Sequence, residues 1–439
     1  MPLNLNESLF TFLEKSPTAF HAVLNTCELL KKAGYKELKE TDAWKITPGG
    51  KYLVTRNDSS VIAFRLPAGK NLASFRIAAS HSDSPVFKIK PAPELESEKA
   101  YIRLNVEKYG GMLMAPWFDR PLSVAGRVVV KCGSAKKEGA SFRSVFVDID
   151  RDLLMIPSLA IHFDREANSG HEYKVSPELF PLYGEAANKG SFMKLIAKEA
   201  GVKEGDILSY DLFVYPRGRG YAWGAKNEFI AASRLDDLQC TFADTQGFIA
   251  GEKKQARDAD FCAVLAVFDN EEVGSATKQG AGSTFLSDVL SRIAAGLDFS
   301  AEGERRLIAN SFMISADNAH AVHPAHGEKS DQINRPQMNK GIVIKHSANQ
   351  KYTTDAVSCA VMKTICEKAG VPCQEFANHS NVQGGSTLGN ISNTHVSLNT
   401  VDIGLPQLAM HSPWESAGAL DTAYLVKAME TFFSVKQIF

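Results

Sequence analysis

The chain has 439 residues, with 49 Lys and Arg against 50 Asp and Glu, a formal net charge of -1. That balance excludes the strongly basic surface of a general nucleic-acid binder and the charged tail of an electrostatic interaction segment. With 44% hydrophobic and 23% charged residues it has the composition of a soluble globular protein, and its length suggests about two or three domains at roughly 150 residues each.

No apolar run reaches the ~18 residues that a membrane span needs. Met1 to Glu14 lacks the basic start and apolar centre of a signal peptide. No membrane partner and a cytoplasmic location are therefore expected. The 7 cysteines are scattered, without a CxxC pair, and Cys262 and Cys359 lie inside apolar runs. They read as small buried hydrophobes in a reducing compartment.

In chain order, the first predicted element is a helix starting at Ser16, with Ser16 as its cap, Pro17 in its first turn and Gly34 as its stop. Phe20, Val23, Leu24, Cys27 and Leu30 form its apolar face. Short apolar runs bounded by turn residues predict strands at Tyr52–Thr55, Val61–Leu66 and Phe75–Ala79. From about Ala92 to Glu228 the pattern becomes strand-rich, with runs at Arg127–Val130, Val145–Ile149 and Leu212–Tyr215. This segment, 92–228, reads as a β-rich domain inserted into a main domain made of 1–91 and 229–439. Strand and helix then alternate: Phe261–Phe268 as a strand buried on both faces, Thr284–Leu297 as a helix, Phe312–Ile314 as a strand and Asp355–Ala369 as a helix. The expected class is α/β, a mostly parallel sheet flanked by helices, whose ligand sites lie beyond the carboxyl ends of the strands.

Those ends carry the chemistry. Phe75–Ala79 runs into Ser80-His81-Ser82-Asp83, Phe261–Phe268 into Asp269-Asn270-Glu271-Glu272, Phe312–Ile314 into Ser315-Ala316-Asp317, and Leu408-Ala409-Met410 into His411. Arg234-Leu235-Asp236-Asp237 precedes a predicted helix. Each string has an ordinary reading, as a turn, a solvated acidic pair, a helix cap or a packed histidine. Gathered at one edge of a sheet, imidazoles and carboxylates suit two divalent cations, zinc foremost and manganese or cobalt next. The adjacent Glu271 and Glu272 allow one carboxylate to bind metal and the other to accept a proton. HExxH and a P-loop are absent, and Gly384-Gly385-Ser386-Thr387-Leu388 fails the nucleophile-elbow pattern at its last position. Pro324 breaks the helical spacing of His320, His323 and His326.

These strings, with Ser16-Pro17, Phe20-His21-Ala22-Val23, Tyr109-Gly110-Gly111, Trp117-Phe118-Asp119-Arg120 and Asp402-Ile403-Gly404, resemble the aspartyl aminopeptidase family of two-zinc metallopeptidases over almost the whole chain. The resemblance implies His81, Asp236, Glu272, Asp317 and His411 as ligands of two divalent metals, with Asp236 bridging. It implies Glu271 as general base and Asp83 as the carboxylate that orients His81. It implies a dimerisation role for the inserted domain, a dodecamer of enclosed sites acting on peptides, and His162 reaching a neighbouring subunit's site, where the alternative is a surface or packing histidine. Lys345 matches the basic residue that selects acidic N-terminal residues, the alternative being a solvated strand-end lysine, and Tyr352 and His320 match other pocket positions. Aminopeptidases for neutral residues, two-metal carboxypeptidases and N-deacylases, and a non-catalytic scaffold are the competing readings. The chain departs from the family pattern at Asp237, where Asn is usual, and at Pro121, where an acidic residue is usual.

Overall fold

The computed structural model describes residues 2–69, 71–132, 141–256 and 258–438. Its contacts divide the chain into one unit of 1–83, 220–410 and 415–439 and another of 84–219 with 411–414.

The first unit is built on a nine-stranded sheet, in spatial order Lys36–Leu38, Lys51–Arg56, Ser60–Arg65, Phe261–Phe268, Ser74–His81, Phe312–Ala316, Asn399–Gly404, Ile342–His346 and Cys373–Ala377. The four strands from Phe261–Phe268 to Asn399–Gly404 run parallel, and antiparallel neighbours flank them. Every residue of Phe261–Phe268 is buried, because both faces of the sheet are covered. Phe261, Ala263, Leu265 and Val267 join a core with Phe248, Met362, Leu425 and Met429 from helices Leu235–Lys254, Ala356–Ala369 and Asp421–Phe432. Cys262, Val264, Ala266 and Phe268 join the opposite core with Phe285, Val289 and Ile293 of helix Phe285–Gly296. The period of two assigns successive side chains to opposite layers, and each large apolar side chain buried there contributes about 1.5–3 kcal/mol. Helix Leu235–Lys254 approaches helix Asp421–Phe432 closely at Gly247, where a Cβ would stand 2.4 Å from that of Met429. A five-stranded sheet, Tyr221–Trp223, Phe229–Ala232, Glu415–Gly418, Pro406–Leu408 and Ala319–His320, completes the unit.

The N-terminal expectation needs correction. A helix spans Pro2–Glu14, and the next one begins at Ala19, not at Ser16. Leu9, Phe10, Phe12 and Leu13 of the first helix bury against Leu235, Leu238 and Phe242. Ser16 closes its end through an N–H donated to Leu13, and its hydroxyl accepts from Asn25 instead of capping.

The second unit holds a six-stranded antiparallel sheet, in the order Phe142–Asp148, Leu122–Lys131, Ile207–Pro216, Val86–Ser97, Tyr101–Tyr109 and Leu182–Glu185. Phe87, Trp117, Leu122, Val124, Phe192 and Leu212 fill its core. The boundary expected before Ala92 falls inside Val86–Ser97, where the register shifts between Ile89 and Glu94 and Ala92 has φ 56°. That bulge is a bend within one strand, not a linker. The boundary expected after Glu228 also moves, because Tyr221–Trp223 pairs with Phe229–Ala232 of the first unit. All 7 cysteines are free, and among the described residues no helix is long and apolar enough to cross a membrane.

Candidate metal centre

The parallel strand Ser74–His81 delivers His81 to its carboxyl end, beside the end of Phe261–Phe268. His81 Nε2 lies 3.5 Å from Asp236 Oδ1 and 3.9 Å from Asp317 Oδ1. Asp317 follows strand Phe312–Ala316, and its N–H is held by the Ile403 carbonyl at 3.0 Å. Asp236 and Asp237 occupy the non-helical first turn of Leu235–Lys254, joined by a cis peptide bond. His81, Asp236, Asp237 and Asp317 are all buried and offer ligand atoms within 4.8 Å of one another.

Asp83 connects this cluster to the adjacent glutamates. Its carbonyl lies 3.1 Å and its Oδ1 3.3 Å from His81 Nδ1, the geometry that sets the orientation of a metal-binding imidazole. Its two carboxylate oxygens also accept the N–H groups of Glu271 and Glu272, at 3.1 and 3.2 Å. The Glu271–Val273 turn is entered through Asn270 at φ 61° and left through Gly274 at φ 96°. Asn270 Oδ1 accepts from Thr277 and Gln279, which braces the loop.

Beneath the cluster runs a buried polar network that sequence reading did not find. Glu415 accepts the Asp236 N–H at 3.0 Å and a 3.4 Å bond from Gln407. Asn318 donates to Gln407 and Gln239 and accepts from Cys240, and Gln239 donates to Thr422. Through Glu415 the network holds the Asp236 N–H.

The electrostatics call for a cation. Burial raises the Glu271 carboxyl to about 8, with Asp317, Asp83 and Asp236 adding to the rise against His81. Burial likewise raises Glu272 and Asp237, with Asp236 among their carboxylate neighbours. Burial alone would lower His81, but Asp237, Asp236 and Asp83 raise it. A dry group of carboxylates that repel one another is stabilised by a divalent ion, and its imidazole and carboxylate donors suit zinc. The residues present therefore fit the metal.

Lys345 ends up beside this centre, 4% exposed, its Nζ 3.5 Å from Asp317 Oδ2. Burial would lower its ammonium, but Asp317, Tyr352, Asp402 and Asp236 together more than offset that. The ammonium sits 5.6 Å from the Tyr352 ring centre. Tyr352 and exposed His320 both face Phe376, a residue that sequence reading did not single out. His162 and His411 belong to the second unit. His162 lies in an exposed turn, and His411 has φ 65° and accepts the Leu113 N–H at 3.1 Å.

Asp237 Oδ2 accepts the His81 N–H at 3.1 Å; its Oδ1 is buried without a hydrogen-bond partner. An asparagine can accept that bond equally, so Asp237→Asn is expected to keep its metal content and to lie within about tenfold of the parent rate, the worth of one hydrogen bond. Metal analysis and kcat check this; lost metal would make Asp237 a ligand.

Residues 12–433 match the family model described as aminopeptidase I zinc metalloprotease (M18). The chain is 46% identical over 440 residues to a Clostridium acetobutylicum protein named "Probable M18 family aminopeptidase 2", covering 99% of both chains. A chain of the Ape4 and Nbr1 complex solved by cryo-EM superposes with a TM-score of 0.93 at 35% identity, over 98% of this chain and 86% of that one. The mApe1 dodecamer of S. cerevisiae gives a TM-score of 0.84 at 28% identity, over 98% and 96%.

Proposed function

The chain belongs to the M18 family of zinc metalloproteases and is a zinc aminopeptidase, and from that premise we propose that it releases acidic residues, Asp and Glu, from peptide N-termini. The observation that carries this is the buried Lys345 ammonium beside Asp317. A buried lysine needs an anionic partner. A cation bound at the strand ends competes for the Asp317 carboxylate and leaves Lys345 to attract another, that of a substrate side chain. His320 and Tyr352 line the same pocket.

His81, Asp236, Glu272, Asp317 and His411 are the proposed ligands of two divalent ions, with Asp236 shared between them; His411 enters on the string Met410-His411-Ser412. When bound, the metals supply Lewis acidity that polarises the scissile carbonyl and acidifies water. Glu271 takes the proton from the attacking water and hands it to the leaving amine. Asp83, through its bonds to His81 and to the Glu271 and Glu272 N–H groups, keeps base and ligand in register. The carboxylates leave a place for the free α-amino group, which makes the enzyme an exopeptidase.

A panel of unblocked dipeptides tests the preference. Asp and Glu should be released fastest, and Lys345→Gln should lower kcat/KM for them by roughly 30-fold or more, as losing one partner of a buried charge pair does, with little change for Ala. Fast release of neutral residues alone would discard the acidic pocket and keep the enzyme class.

We further propose that the unit of 84–219 forms dimers within a larger homo-oligomer, with His162 serving a neighbouring subunit. Exposed Leu159, Ile161 and Phe163, at 67%, 48% and 80%, surround His162, apolar surface of the kind that a subunit contact covers. The dodecameric state of mApe1 supports the same reading.

A further inference from the structure

A second group of metal-ligating side chains lies apart from the strand-end cluster. His346 ends strand Ile342–His346, Glu375 lies on the neighbouring edge strand Cys373–Ala377, and Cys359 comes from helix Ala356–Ala369 packed over them. Cys359 Sγ is 4.0 Å and Glu375 Oε2 3.6 Å from His346 Nε2, and each of the three offers a ligand atom within 4.8 Å of the others. Tetrahedral zinc with ordinary bond lengths sets such donors about 3.3–3.6 Å apart, so a few tenths of an ångström of contraction would bring both partners of His346 to that spacing. The three residues open on a cavity of about 570 Å³, which leaves room for water as a fourth ligand.

We propose that His346, Cys359 and Glu375 form a binding site for a zinc-like divalent cation, separate from the strand-end centre. One thiolate, one imidazole and one carboxylate are the donors that borderline-soft Zn²⁺ accepts and that Mg²⁺ or Ca²⁺ does not favour. The cation meets one competitor, since Lys363 pairs with the other oxygen of Glu375. That pairing keeps the Glu375 carboxyl below its usual range and therefore ionised. Burial raises the Cys359 thiol, so binding releases a proton and tightens as pH rises. Adjacent strand residues point to opposite faces. His346 thus places this cation on the far side of the strand from Lys345, which meets Asp317.

Cobalt distinguishes this site from the strand-end centre, whose proposed ligands include no thiolate. Metal-stripped full-length protein titrated with Co²⁺ should develop a thiolate-to-cobalt charge-transfer absorption whose amplitude at saturation corresponds to one thiolate-bound cobalt per chain. Cys359→Ser should abolish it. His346→Gln should weaken the transition by at least ~10-fold, the lower end of what even outer-sphere changes cost a metal site. Lys363→Met should strengthen it by removing the competing ammonium. Circular dichroism establishes that each variant is folded. The absence of a thiolate band at saturating Co²⁺ would overturn the proposal. So would a band that survives Cys359→Ser and disappears in Cys373→Ser, because the thiolate would then come from the edge strand. Cobalt bound without a thiolate at the strand ends is read independently, so failure of one site is not failure of the other.

Discussion

Glu271→Gln is expected to leave metal content near that of the parent while kcat falls by ~10²–10⁴-fold, the usual scale for losing a general acid–base. Three observations support the size and the selectivity. The substitution preserves side-chain volume. The Glu271 N–H that Asp83 accepts belongs to the backbone, so the turn over Glu271–Val273 keeps its anchor. The buried group of His81, Asp236, Asp237 and Asp317 does not include Glu271. What is lost is the carboxylate proposed to take a proton from water and return it to the amine. In the metal-free chain burial and neighbouring carboxylates hold Glu271 at about 8, and bound cations must lower that value for it to act as a base at neutral pH. Activity of the loaded parent should accordingly rise with pH through a group that Glu271→Gln removes. Metal analysis beside a pH–rate profile decides the matter: retained activity would take Glu271 out of the role, and lost metal would make it a ligand.

The parts of this arrangement readable from sequence are those that repeat a local rule. Phe261–Phe268 could be bounded because an unbroken apolar run between polar loops has few other folds. Its continuation into Asp269-Asn270-Glu271-Glu272 marked a strand end, and the same signal located His81 and Asp317. The boundary was set near Ala92 because the strand-rich pattern begins there, and a bend within one strand, at the Ala92 bulge, has the same local composition as a junction between domains. The helix Pro2–Glu14 escaped notice because its partners, Leu235, Leu238 and Phe242, lie more than 200 residues away. Gln239, Asn318, Gln407 and Glu415 were invisible for a related reason. A buried polar residue differs from a solvated one only in its partners, and those partners lie on other elements. Asp83 shows both cases. Its bond to the imidazole was an expectation carried by the family resemblance, while its grip on the Glu271 and Glu272 N–H groups depends on two strands lying side by side.

Removal of metal is expected to abolish activity and to lower thermal stability in a pH-dependent way. A cation at ~100–1,000 times its Kd adds about 3–4 kcal/mol to a folded state that alone binds it. The metal-free site adds a second effect of definite sign. Glu271 and Asp269, raised to about 8 and about 7 from 4.5 and 3.8 chiefly by burial, bind protons more tightly folded than unfolded. Their contribution to stability is therefore complete in acid, below the unfolded values, and is lost as pH rises through the folded ones. The metal-free protein should lose stability steadily from roughly pH 4 to pH 8. Cation binding requires the deprotonated carboxylates and strengthens over the same interval. The difference in Tm between zinc-loaded and chelator-treated protein should thus widen as pH is raised from 5 to 8, and zinc added back should restore it together with activity. A difference that stays constant with pH would mean that the buried carboxylates are not where the metal acts. A wider difference at low pH would reverse the linkage and would require the cation to bind donors that remain unprotonated in acid, which this group of aspartates and glutamates cannot supply.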